Sequence, residues 1–192
     1  MVNSEQKKQS TIEIYSDKHH DDGKASRSTG TVSNGKLING KLFPFKGNNF
    51  EYFDETSYLA GKAFTHSTIK SIVLNSYKGL ETSIPKRKFK IMECSHQHGG
   101  KLQPHRTHQN GTSIDFMMPL TQKKQPYYSL DQTGFAHYLL SFDDNGKYSL
   151  DSSVSIDFDV VATHILTLEK NARQFGYKIK KVIIKLELKD EL

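Results

Sequence analysis

The sequence predicts an α+β fold with an antiparallel sheet. Two stretches place apolar residues at helical spacing, others alternate apolar and polar residues, and no βαβ rhythm repeats along the chain. A chain of 192 residues is long enough to bury one ordinary core.

Residues 1–35 are polar, rich in Ser, Lys, Gly and Asp, with one short apolar alternation at "TIEIY". This composition predicts a mobile tail or a loosely attached extension, followed by a single domain over 36–192. Within the tail, "HHDD" (His19 to Asp22) has ligand-type side chains, but adjacent positions in a polar segment read as a solvated loop. "LFPFKGNNFEYF" is aromatic and punctuated by glycine, which suits a packed loop. Ile69, Ile72, Val73, Tyr77 and Leu80 then fall on one helical face, with Ser67 as N-cap and Pro85 as the stop. "KFKIMEC" reads as a strand, with Phe89 and Ile91 alternating against Met92 and Cys94.

A histidine-rich loop follows. "TSIDFMM" alternates again, with Ile114 and Phe116 on one side and Ser113, Asp115 and Met117 on the other. "FAHYLLSFDDNGKYSL" reads as a hairpin turning at "DDNGK". Val161, Ile165, Leu168, Ala172 and Phe175 mark the clearest helix, with Gly176 at its C′ position. "KIKKVIIKLEL" ends the pattern as a strand that puts Val182, Ile184, Leu186 and Leu188 on one face.

Composition narrows the function. Cys94 is the only cysteine, so no disulfide forms within the chain, and any metal must be held by His and carboxylate. The net charge of +6 favours anionic partners. The one tight basic cluster, Lys86 to Lys88, has no interleaved aromatics for base stacking, so no nucleic-acid partner is expected. No apolar run reaches the length of a membrane span. The first residues lack the apolar core of a secretory signal, which is expected of a cytoplasmic chain or of one whose signal has been removed. The terminal "KDEL" matches a retrieval signal, but it also continues the charge alternation before it, and the second reading is preferred.

Four of the nine histidines fall between residues 96 and 108. The glycines of that loop, Gly99, Gly100 and Gly111, permit sharp turns and close approach. His108 closes the loop, and Asp115 lies on the next extended segment, from which its carboxylate can fold back beside the imidazole. Both side chains are zinc-ligand types.

The longer string "GGKLQPHRTHQNGTSIDFMMP" resembles the first metal-binding motif of the penicillin-insensitive murein endopeptidases. These belong to the LAS group of zinc peptidases (lysostaphin, D-Ala-D-Ala peptidases, sonic hedgehog). The resemblance rests on an SHQxGxxxD-like spacing, with Thr107 in the Ser position. It is strong over 99–119 and looser over 36–188, where "GKAFTHSTIKSIVLNSYKGL" and the late helix with "YKIKKVIIK" are similar to family elements. It implies a small antiparallel sheet with helices packed on one side, one Zn²⁺, and hydrolysis of peptide cross-links in bacterial peptidoglycan. His108 and Asp115 would be the first two zinc ligands. His105 would line the catalytic site and hydrogen-bond a ligand or substrate. A periplasmic or extracellular location is implied by the resemblance alone.

The sequence also departs from the family. The family takes its third ligand, and a nearby base, from a His-x-His on its last core strand. No His-x-His follows residue 108, and the only one in the chain is His96-Gln97-His98. Two expectations compete: the chain lacks the family's last core strand, or His96, His98, His137 or His164 substitutes. The functional readings are a zinc endopeptidase-like domain, inactive if nothing replaces the His-x-His, or a non-catalytic module that binds wall peptides or a protein partner on the same fold.

Overall fold

The computed structural model describes residues 9–185 and residue 188. It is mixed α and β, with several small sheets rather than one large one. In chain order the elements begin with α1 (Thr11–Lys18), β1 (Arg27–Thr31), β2 (Asn34–Ile38), β3 (Lys41–Leu42), β4 (Phe50–Tyr52) and α2 (Glu55–Leu59). β5 (Phe64–Thr65), α3 (Ser67–Ser83), β6 (Phe89–Ile91), β7 (Leu120–Gln122) and β8 (Gln125–Tyr127) follow. Two 3₁₀ turns, Ser129–Gln132 and Gly134–Leu139, lead into β9 (Lys147–Tyr148), β10 (Asp151–Ile156) and α4 (Phe158–Gln174).

The widest sheet is antiparallel, in the order β8-β7-β10-β9. β1 and β2 form a hairpin, β3 pairs β5 antiparallel, and β4 pairs β6 in parallel. Among the described residues no helix is long and apolar enough to cross a membrane.

The core is organised by α3 and α4. Ile72, Val73, Tyr77 and Leu80 of α3 are buried, and Tyr77 stacks on Phe50 with ring centroids 4.8 Å apart. α4 faces two clusters at once. Val160, Leu168 and Ala172 join the main core with α3, β4 and β6. Val161 joins a second cluster with Leu120, Val154, Ile156 and Leu188, over the four-stranded sheet. α4 ends as expected: Gly176 takes φ 75°, its N–H reaches the Arg173 carbonyl, and the Tyr177 N–H reaches that of Ala172. At the other end Asp157 caps the helix, accepting from the Val160 N–H at 3.3 Å, and pairs with buried Arg87 at 3.2 Å.

Three expectations change. Residues 1–8 of the expected tail, and the "KDEL" at 189–192, lie outside the described residues. Within 9–35, however, the chain forms α1 and the β1–β2 hairpin. α1 starts at a capping box between Ser10 and Glu13, and its Tyr15 packs edge-on to Tyr58. Asp21 and Asp22 of "HHDD" pair with the buried Lys41 ammonium. These elements bury few apolar groups each, so their composition resembles that of a tail. The hairpin is held instead by backbone bonds to a distant loop, and α1 by side-chain contacts of Tyr15, Ser16 and His19 with Tyr58 and Phe64.

The second change concerns residues 178–185, expected as a strand. They make no ladder pairing among the described residues; Val182 and Ile183 are exposed, and the Ile179 N–H donates to the Glu169 carboxylate at 2.7 Å. Ile184 and Leu188 do reach the second cluster, while Leu186 lies outside the described residues. Alternation marks a side-chain period, but a strand also needs a neighbour with free backbone groups. Third, the expected hairpin turns where it should: the Asp143 carboxylate accepts from the Asn145 and Lys147 N–H groups. Its arms pair only next to the turn, residues 141–143 against 147–149 with one bridge from Phe142 to Tyr148, while Gly134–Leu139 upstream is a 3₁₀ turn instead of a strand.

Candidate metal centre

The site is assembled just beyond the end of β6, where residues 92–95 remain buried. Beyond Ile91 the chain stays extended and meets 114–117 edge to edge. The Met92 N–H donates to the Asp115 carbonyl at 2.8 Å, and the Asp115 N–H to that of Glu93 at 3.0 Å. This pairing sets the backbones of Glu93 and Asp115 side by side. The "TSIDFMM" alternation therefore corresponds to an extended segment, although it forms only an isolated bridge, Ile91 to Phe116.

The histidine loop spans the gap between these two edges. It is pinned by the β1–β2 hairpin: the Leu37 N–H reaches the His98 carbonyl at 3.0 Å, the Gln109 N–H reaches the Val32 carbonyl at 2.9 Å, and the Ser28 hydroxyl reaches the Asn110 carbonyl at 2.6 Å. Gly99 takes φ 71°, and a Cβ there would stand 2.2 Å from the Gln109 carbonyl oxygen, so the glycine is required for closure. His108 itself holds φ 71°, a left-handed conformation that costs a non-glycine residue about 1–2 kcal/mol.

The loop brings His105, His108 and Asp115 together. One ligand atom from each lies within 4.8 Å of the others. His108 Nε2 is 3.3 Å from one Asp115 oxygen, and His105 Nδ1 is 3.5 Å from the other. The imidazole rings meet edge to face, 4.9 Å apart. This donor set fits a metal ion. With metal–ligand bonds of about 2.0–2.1 Å, neighbouring donors in a tetrahedron stand roughly 3.3–3.4 Å apart; each imidazole approaches this spacing to one Asp115 oxygen, and the three donors together lie within 4.8 Å.

Each imidazole has its outer nitrogen tied to a group that can only accept. His108 Nδ1 donates to the Ser113 carbonyl at 3.1 Å. His105 Nε2 donates to the Glu93 carboxylate. The remaining nitrogen of each ring faces Asp115, an arrangement typical of metal-binding histidines.

Electrostatics follow from burial and neighbours. Burial alone would lower the His108 pKa, but the Asp115 carboxylate and the Ser113 carbonyl outweigh it and hold the value above normal. Burial alone would raise that of Glu93, which is 1% exposed, yet bonds from His105 and Lys62 hold it down at about 2. Tyr138, half-exposed on the second 3₁₀ turn, donates its hydroxyl to the same carboxylate at 3.1 Å.

The candidate substitutes lie elsewhere. His164 is in the main core against Tyr77, Phe89 and Phe116, and burial lowers its pKa to about 4. His96 bonds the Gly61 carbonyl at 3.2 Å. His98 lines a cavity with His19, His20, Lys36 and Lys41, none of them a member of the metal-ligand group. His137 is on the Tyr138 turn, with its pKa lowered by burial. None of the four joins His105, His108 and Asp115, the one group of possible metal ligands among the described residues.

Sequence reasoning missed Glu93, Lys62 and Tyr138. For Glu93 a signal existed: a lone acid inside "KFKIMEC", an otherwise apolar strand end, must find donors if it is buried. The donors come from separate segments and had no local signature.

The chain matches no protein-family model and no curated protein.

Proposed function

We propose that this chain is a zinc-dependent endopeptidase-like domain acting on the peptide cross-links of bacterial peptidoglycan. The observation that carries the reading is the convergence of His105, His108 and Asp115 at a spacing that resembles the first metal motif of the murein endopeptidases. Zn²⁺ is favoured over harder cations because two of the three donors are imidazole nitrogens. The finer fold, a LAS-like core with helices on one side of the sheet, and a periplasmic or extracellular location belong to the same proposal. The net positive charge suits an anionic wall polymer.

His108 and Asp115 would hold the ion. When bound, Zn²⁺ polarises a scissile carbonyl and lowers the pKa of a coordinated water. The chain contributes the surroundings. Ser113 and Glu93 keep the outer imidazole protons in place, and the half-exposed Tyr138 supplies a hydroxyl at the edge of the site.

Two measurements on tag-free chain test the reading: zinc content with and without His108→Ala, and hydrolysis of cross-linked muropeptides. One zinc per chain, lost in the variant, together with cleavage supports the peptidase. Zinc and muropeptide binding without cleavage would favour the non-catalytic module. A parent chain that binds no zinc would sink the metal centre.

A further inference from the structure

Glu93 is a buried carboxylate with a donor at every acceptor position. Its Oε1 accepts from Lys62 Nζ at 2.9 Å and from the Ser57 hydroxyl at 3.1 Å. Its Oε2 accepts from His105 Nε2 and from the Tyr138 hydroxyl at 3.1 Å. A carboxylate offers about four acceptor positions, and all four have donors here. Burying a charge at 1% exposure is costly unless it is fully paired, so the fold commits four side chains to keeping this one ionised. The core around it does not need a charge. Its neighbours in sequence, Met92 and Cys94, are buried and apolar.

The consequence falls on His105. A carboxylate oxygen can only accept, so the His105 proton sits on Nε2. Nδ1 then keeps its lone pair, and that atom faces Asp115 at 3.5 Å, on the same side as His108 Nε2. The resemblance to the murein endopeptidases assigns His105 to hydrogen-bonding a ligand or substrate. The geometry points to a different role. We propose that Glu93 is a positioning residue that fixes His105 as the third protein ligand of the metal, through Nδ1, so that the ligand set is complete within residues 105–115. This inference rests on the metal reading above, and it removes the need for a ligand from a distant His-x-His.

Glu93→Gln is a sharp test because it is nearly isosteric. The Lys62 ammonium and the Ser57 hydroxyl hold the amide oxygen on their side, which turns the amide NH₂ toward His105. Nε2 must then accept, the proton moves to Nδ1, and the atom facing the metal is blocked. Outer partners of metal-binding histidines typically change metal affinity about 10–100-fold when lost. Zinc affinity is measured by competition with a chromophoric chelator, and the ligand field by the visible spectrum of the Co²⁺-loaded chain. The expected result is a loss of roughly 10–100-fold in Glu93→Gln, with an altered cobalt spectrum. His105→Ala should lose at least as much, and the double variant little more, because Glu93 acts through His105.

A second measurement does not depend on how the variants fold. In ¹⁵N-histidine NMR of the zinc-loaded wild type, His105 should be metal-bound at Nδ1 and protonated at Nε2, and His108 the reverse. Wild-type affinity in Glu93→Gln, or a protonated His105 Nδ1 in the zinc-loaded chain, overturns the inference while leaving a His108–Asp115 centre intact. Failure of the wild-type chain to bind zinc overturns the metal reading itself, and this inference with it.

Discussion

His108 and Asp115, seven residues apart in sequence, meet with Nε2 and Oδ1 3.3 Å apart. The imidazole is buried at 1% exposure and the carboxylate is partly open to solvent. That combination gives one anchored donor and one accessible donor on the same position. Zinc should therefore stabilise the chain, and stabilisation should vanish in His108→Ala and Asp115→Ala. At a free concentration of about 100 times Kd the expected gain is about 2.7 kcal/mol. Thermal melts with and without zinc check this, and a variant that keeps the full zinc shift would remove its residue from the ligand set.

Gly99 and Gly100 give a paired test of the loop. Both have positive φ, 71° and 83°, but a Cβ at Gly99 meets backbone atoms while one at Gly100 meets nothing within 4 Å. Gly100→Ala should cost about 1–2 kcal/mol, the left-handed penalty alone. Gly99→Ala should cost clearly more and weaken zinc binding, because the loop can no longer close on the hairpin. Urea denaturation of both variants separates the two effects; equal losses would contradict the close approach.

Asp157 serves two partners at once. It caps α4 through the Val160 N–H and holds Arg87, which is 3% exposed and also donates to the Leu120 carbonyl at 2.7 Å. Asp157→Ala should cost more than a cap alone, about 2–4 kcal/mol, because a buried guanidinium loses its counter-charge. Asp157→Asn keeps a capping oxygen and should fall between alanine and wild type. Denaturant midpoints give the comparison, and a loss near 1 kcal/mol in the alanine variant would mean that the ion pair adds nothing.

His164 should set part of the acid sensitivity. Burial holds its folded pKa at about 4, below the ordinary value, and its Nε2 has no hydrogen-bond partner among the described residues. The unfolded chain takes up this proton first as pH falls. The stabilising contribution is thus complete above about pH 6.5 and is lost as pH drops toward 4, with roughly 2 kcal/mol gone at pH 5. His164→Phe, placed among Tyr77, Phe89 and Phe116, should flatten stability between pH 7 and 5. An unchanged pH slope in that variant would assign the acid sensitivity to other groups.

The two long helices were legible because their signal is local. A period of 3.6 over 67–83 and 158–174 needs no knowledge of neighbours, and Gly176 marks its own helix end. Residues 178–185 show the limit of such signals. Their alternation is as clear as that of a strand, but pairing depends on what lies alongside, and no ladder forms among the described residues. The N-terminal segment shows the reverse case. Its polar composition hid α1 and the β1–β2 hairpin, whose bonds reach residues 98, 109 and 110.

The sequence by itself determined the residue types of the candidate centre. With Cys94 as the only cysteine, donors had to be His and Asp or Glu, and the His105, His108, Asp115 spacing put three of them on one loop and its exit. Only the tertiary structure decided how they are held. Ser57 and Lys62, His105, and Tyr138 come from three separate segments, and they meet around the one buried carboxylate of Glu93. Local spacing says nothing about such a meeting. A buried charge requires several donors at once, and only the folded chain brings donors from distant segments to the same point.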